Sequence, residues 1–231
     1  MINLGFRSVT PGLEPVLDEA FPNSRAETRR WLVESVEVTQ HGSGEYLFRQ
    51  GSRTPVLVVL DGWTAFQRTS PDGRVVIPRL AGPGQVAGLL GVSDLSTPVD
   101  LLAITGVRTA GWSATTIRSA AAADSGLALD TVDQMAVAMD LLSERLDSLP
   151  SQDSRRRVAR MLWSYRELFF GEEPVLTRGH LAGLVGTSAE MTRRVLRRLE
   201  EMGVVVRVGR SSLQLLDEEQ LAGLADLPGS P

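Results

Sequence analysis

The chain has 231 residues, 42% of them hydrophobic, and a net charge of −4; this is enough apolar material for each half to bury a core, in one large or two modest domains. It contains no cysteine and only two histidines, His41 and His180. That composition excludes disulfides, thiolate nucleophiles, cysteine-held zinc and iron–sulfur clusters, and nearly excludes a histidine metal site. The charge is unevenly spread: residues 154–210 hold 12 arginines against 6 glutamates, whereas residues 1–150 hold 12 arginines against 17 acidic residues. A basic stretch matters more than overall charge to a polyanionic partner. All 24 basic residues are arginine, a pattern that genomic codon bias can produce, although arginine's planar fork also suits phosphates and guanine edges.

No apolar run approaches the ~18–20 residues that a membrane span needs, and the N-terminus lacks a basic-then-apolar leader pattern. A cytoplasmic location with no membrane partner is expected. In chain order, residues 11–34 read as one or two helices. Leu13, Val16, Leu17, Ala20 and Phe21 stand at helical spacing, Pro22-Asn23-Ser24 breaks the pattern, and Ser24 can cap the second helix.

From 36 to 112 the pattern turns β-like. The predicted strands are Val36–Thr39, Tyr46–Phe48, Val56–Leu60, Trp63–Arg68, Arg74–Leu80, Leu101–Val107 and Thr109–Trp112, separated by glycine-rich turns such as Asp61-Gly62 and Gly82-Pro83-Gly84. Short strands at this spacing indicate a small sandwich or barrel.

Residues 124–149 read as one long helix. Val132, Met135, Met139, Leu142, Leu146 and Leu149 step by three and four, which is a heptad seam. The seam suits a two-fold homodimer; packing against the chain's own β-domain is the other reading. Pro150-Ser151 is expected to stop the helix as a hinge, and an arginine-rich helix is expected over 154–170.

The segment 176–200 carries the strongest signal. Thr177 can cap a helix whose apolar face is Leu181, Leu184 and Val185, Gly186 permits a sharp turn, and Ser188 caps a second helix. That second helix buries Met191, Val195, Leu196 and Leu199, and exposes Ala189, Glu190, Arg193, Arg194 and Arg197. Two short strands, Val204–Arg207 and Ser212–Leu215, follow as a wing. A helix held by one face while the other offers arginine and glutamate is what major-groove reading requires. Arg194 can fork onto guanine and Glu190 can accept from cytosine. Thr177, Arg178, Thr187, Ser188, Arg197 and Arg210 are placed to hold phosphates or the nearby backbone, which position a protein without specifying sequence.

On these residues the chain resembles the Crp–Fnr superfamily of transcription regulators. Leu176–Glu200 resembles the family's helix-turn-helix, most specifically over Leu181–Ser188. Residues 36–112 resemble its cyclic-nucleotide-binding β-roll, through Tyr46–Gly51, Gly62, Ser70–Arg74 and Gly82–Gly84, and residues 124–149 resemble its dimer helix. The resemblance implies an α+β chain in three parts. These are a β-roll domain with N-terminal helices (1–120), a dimerisation helix and hinge (121–150), and a winged helix-turn-helix (151–231). It also implies a homodimer on a two-fold-related duplex site, with RNA polymerase as a partner and no enzymatic activity.

Two departures stand out. Ala189 lies where the family often has its first base-reading arginine. In the roll, members that bind cyclic nucleotides use a Gly-Glu-Leu run and a later Arg-Ser pair; here those positions read Gly88-Leu89-Leu90 and Val99-Asp100. Leucine cannot hold a ribose hydroxyl, valine cannot pair a phosphate, and Asp100 would repel one. Control by cyclic AMP is therefore not expected, and no cofactor or metal is. Leu89, Leu90, Val92 and Leu95 would make the old pocket apolar, or fill it with core. An alternative keeps an effector, such as a cyclic dinucleotide, held by arginines of the roll or hinge, including Arg74, Arg79 and Arg155–Arg157. A cupin-type enzyme would need clustered histidine and glutamate ligands, and only His41 lies in the β-region; a scaffold that had lost DNA binding would lack the exposed arginines.

Overall fold

The computed structural model describes residues 12–70, 73–151 and 153–225, and the side chains of these except 144–151. Helices α1 (Leu13–Ala20) and α2 (Ala26–Glu34) precede eight strands: β1 (Glu37–His41), β2 (Tyr46–Phe48), β3 (Val56–Asp61), β4 (Thr64–Thr69), β5 (Val75–Ala81), β6 (Val86–Ala87), β7 (Asp100–Ala103) and β8 (Val107–Trp112). A short 3-10 helix, Leu89–Ser93, lies between β6 and β7. The strands form two four-stranded antiparallel sheets, ordered β1-β8-β3-β6 and β2-β7-β4-β5.

Strand β3 shows why the roll holds together. Val56, Val58 and Leu60 pack with Leu17, Phe21, Leu32 and Ile117 on the helical side. Leu57 and Val59 turn the other way, toward Phe48, Leu101 and Ala103. The uninterrupted apolar run is thus a strand buried on both faces, each face taking alternate residues. The expected strand 101–107 is two strands, because residues 104–106 form the turn where Ile104 donates its N–H to the Trp63 carbonyl.

Helices α3 (Ala114–Ala123) and α4 (Ser125–Ser151) follow. The break between them is Asp124, whose buried carboxylate accepts the Arg25 and Gly126 N–H groups. One turn along α4, buried Asp130 accepts the N–H and Nδ2 of Asn23 and the N–H of Ser24. These two carboxylates serve the N-terminus of α2, in place of the expected Ser24 cap. The Ser24 hydroxyl instead donates to the Phe21 carbonyl, and anionic groups near the positive end of a helix are favourable. Burial pushes the Asp124 pKa up, but hydrogen bonds from Thr28, Arg25 and Gly126, with the Arg25 charge, bring it below the usual carboxylate value.

Helix α4 ends at Ser151, at the Pro150-Ser151 pair expected to stop it. The arginine-rich helix expected over 154–170 is two, α5 (Ser154–Ser164) and α6 (Arg166–Phe170), broken at Tyr165. Then come α7 (Arg178–Val185), α8 (Ala189–Glu201), the antiparallel pair β9 (Val205–Val208) and β10 (Ser212–Leu215), and α9 (Glu218–Ala225). Among the described residues no helix is long and apolar enough to cross a membrane.

Candidate nucleic-acid interface

The candidate interface is built by α7, its turn and α8. Leu181, Leu184 and Val185 are buried under α7. Gly186 takes a left-handed φ of 70°, which lets the chain reverse at a position where any Cβ would be strained. Ser188 then accepts the Met191 N–H at 3.1 Å and starts α8. Val195, Leu196 and Leu199 fix α8 to the domain, joined by buried Thr192, which the sequence pattern did not reveal; its hydroxyl donates to the Ser188 carbonyl at 3.0 Å. Met191 is only half-buried.

The opposite face of α8 is exposed at Ala189, Glu190, Arg193, Arg194 and Arg197. Glu190 and Arg194 pair at 3.2 Å across one turn, which aligns an acceptor and a donor fork side by side. The Arg193 Nε donates to the Ala189 carbonyl at 3.2 Å, so its guanidinium lies back over the small Ala189.

At the start of α7 the Thr177 N–H donates to His180 Nδ1 at 3.0 Å. This closes the helix end with a histidine where a glutamate or glutamine is usual. Nδ1 must be unprotonated to accept, and burial holds the His180 pKa below its ordinary value. The Arg178 N–H donates to the Ser211 carbonyl at 3.0 Å and its guanidinium donates to the Arg210 carbonyl. Arg178 therefore ties α7 to the wing turn, where Arg210 itself is exposed. Thr177 and Thr187 are half-buried at either end of α7. The structure thus gathers Thr177, Arg178, Thr187 and Ser188 with the exposed residues of α8 and the wing around one helix pair.

The positions compared above with a nucleotide pocket lie elsewhere, tied to the loop between β2 and β3. The Asp100 carboxylate accepts the Gln50 N–H at 2.7 Å. Thr97 takes the Gly51 N–H on its carbonyl, and its hydroxyl donates to the Val99 carbonyl. The Thr54 hydroxyl donates to the Gly88 carbonyl, and a Cβ on Gly88 would stand 1.9 Å from the Pro55 oxygen. Leu89 and Val92 pack with the helical cluster beside Val56 and Ile117, while Leu90 and Leu95 are exposed. These four leucines and valines therefore do not gather into the shared apolar pocket the sequence suggested. Arg79 donates to the Val86 carbonyl at 2.8 Å and covers the Phe66 ring at 4.6 Å, and burial lowers its pKa against a smaller opposing influence of Tyr165.

Along α4 the seam residues Val132 and Met139 are 60% and 68% exposed, Leu142 is exposed and Met135 half-buried. The side chain of Leu146 lies outside the described residues. Leu129, Val137 and Leu141 are exposed as well, on other faces of the helix.

Residues 156–224 match the Crp-like helix-turn-helix domain family. No curated protein matches the chain in sequence. Among solved structures, FixK2 of Bradyrhizobium japonicum is similar at 19% identity, covering 84% of this chain and 99% of its own, with a TM-score of 0.72. A Crp/Fnr-family regulator of Thermus thermophilus is similar at 24% identity, covering 84% and 100%, with a TM-score of 0.72. The c-di-GMP-responsive global regulator CLP of Xanthomonas campestris is similar at 22% identity, covering 84% and 100%, with a TM-score of 0.70. Residues 156–224 thus form a Crp-like helix-turn-helix domain, and the chain as a whole has the fold of the Crp–Fnr transcription regulators.

Proposed function

We propose that this protein is a homodimeric, sequence-specific DNA-binding transcription regulator that works without cyclic AMP. The observation that carries the reading is α8, a Ser188-capped helix held by Val195, Leu196 and Leu199 with Glu190, Arg193, Arg194 and Arg197 exposed together. Arg194 and Glu190 read base edges, while Thr177, Arg197 and Arg210 meet phosphates, and Thr187 and Ser188 bring the start of α8 to the groove. The exposed seam on α4 joins two copies, so the bound site has two-fold-related halves. The parts divide as 1–120, 121–150 and 151–231, RNA polymerase is the protein partner, and the cytoplasm is the compartment.

The test is duplex binding followed by fluorescence anisotropy. Replacing Arg193, Arg194 and Arg197 together by alanine is expected to abolish specific binding and to flatten the salt dependence by roughly one unit for the phosphate contact of Arg197. Wild-type affinity in that variant would contradict the reading.

Independence from cyclic AMP is supported by Leu89, packed among the helices, and by Asp100, whose carboxylate is engaged with Gln50. Saturable micromolar binding of cyclic AMP in calorimetry would overturn it. A second reading keeps a phosphate-bearing effector such as a cyclic dinucleotide. It is favoured by the likeness to a regulator described as c-di-GMP-responsive and by the arginines of the roll and hinge, Arg74, Arg79 and Arg155–Arg157.

A further inference from the structure

The DNA-reading domain is joined to the β-domain by more than the chain at Asp153. The outer face of β4 and β5 carries Ala65, Ile77 and Leu80, which belong to one buried apolar cluster with Val158, Leu162, Leu181 and Leu184. Strand β5 also touches α4. It therefore stands between the long helix and the helix-turn-helix.

The ladder explains how β5 reaches α7. Phe66 pairs with Arg79 and Arg68 with Val76, so β5 advances three residues where β4 advances two. Residues three apart on a regular strand face opposite sides. The extra residue, at Ile77-Pro78, is a bulge that turns Ile77 and Leu80 to the same side, and proline is at home there because a bulge needs no ladder N–H. Across from it lies Gly183 of α7. A Cβ at Gly183 would stand 3.0 Å from Ile77 Cγ1, 3.1 Å from Ile77 Cδ1 and 3.4 Å from the Val75 carbonyl oxygen. Glycine inside a helix is unfavourable for the helix itself, and here it admits the strand.

We propose that the bulged strand β5 and Gly183 form a seat that fixes the position of α8 relative to α4, making Ile77 a positioning residue for DNA reading although it lies in the β-domain. Its effect on DNA rests on the function proposed above; the seat itself does not. In a dimer joined along α4, the seat determines how far apart the two copies of α8 stand, and hence the half-site spacing.

Two readouts on the full chain test this. Because the chain has no cysteine of its own, spin labels at Glu37→Cys and Gln214→Cys, diluted with unlabelled protein, report the distance between β1 and the wing. Both positions are exposed and outside the proposed DNA contacts. Gly183→Val adds three carbons to the seat and Ile77→Ala removes three. The wild-type chain is expected to give one narrow distance, Gly183→Val a moved or broadened one, and the double variant the wild-type distance again, as coupling across a shared contact requires. Specific DNA affinity is expected to fall roughly tenfold in Gly183→Val, with binding to random duplex unchanged, and to recover in the double variant. The milder Gly183→Ala covers the case in which Gly183→Val does not fold. An unchanged distance in a folded Gly183 variant, or no recovery in the double variant, overturns the seat. A wild-type chain that holds one distance yet selects no DNA overturns the proposed function and leaves the seat standing.

Discussion

The exposed face of α8 and the Gly88–Asp100 region of the roll sit on the same scaffold and differ in how their polar groups are employed. On α8 the buried half of the helix is satisfied by its own apolar contacts, so Arg193, Arg194 and Arg197 remain at the surface. In the roll the polar groups work internally: Asp100 holds Gln50, Thr54 holds Gly88, and Thr97 holds Gly51 and Val99. A hydroxyl proton given to a backbone carbonyl, or a carboxylate oxygen given to a backbone N–H, leaves that group fewer bonds to offer a ligand. The contrast separates a helix with an exposed arginine face from a roll whose polar positions hold its own loops together.

That contrast can be broken in four places. The largest effect is expected from Met139→Glu, which sets a charge into the α4 seam. The variant is expected to run as a monomer in light scattering and to lose two-fold site binding, and a persistent dimer would move the seam elsewhere. Next, Asp130→Ala strips the acceptor from Asn23 and Ser24, and leaves those donors near buried surface. Unfolding should become easier by about 3 kcal/mol, with the operator unchanged, because Asp130 serves the roll and not the reading head. A changed operator would show that the two regions are not separable in this way.

Arg194→Ala sharpens the other side. It is expected to relax base preference at one position of each half-site, at ~1–3 kcal/mol; equal loss on specific and random DNA would assign it to phosphate instead. The smallest effect concerns pH. The folded-state pKa of His180 lies below its ordinary value, so the folded chain binds fewer protons than the unfolded one. The stability this gives is present above the ordinary imidazole range and is lost as pH falls through the lowered pKa. Melting temperatures from pH 7.5 to 5 should therefore fall more for the wild type than for His180→Gln, and parallel curves would refute the role.

The helix-turn-helix could be read from residues because its signals are local. A cap at Ser188, a turn at Gly186 and a 3.6-residue stripe lie within one short segment, and neighbouring residues fix them. Most strands of the roll were legible for the same reason, but the two-residue β6 was not, and the expected strand 101–107 is divided between β7 and β8. What escaped depends on contacts between distant residues. The carboxylates of Asp124 and Asp130 cap a helix about a hundred positions earlier in the chain, and the Ile77 bulge is visible only in the pairing of β4 with β5. A polar residue on the face shared by Leu127 and Thr131 was the one sign of Asp130's task. His180 was also within reach, since it stands three residues after a helix cap, where a capping partner is expected. Its acceptor role depended on the tautomer that burial and the Thr177 N–H impose.

The most direct measurement is selection of bound sequences from a random duplex pool by the purified protein with no added ligand. The account predicts enrichment of a motif with two-fold-related halves about one helical turn apart, ~34 Å, recovered equally with and without cyclic AMP. Absence of any enriched motif, or enrichment only when cyclic AMP is supplied, would contradict it.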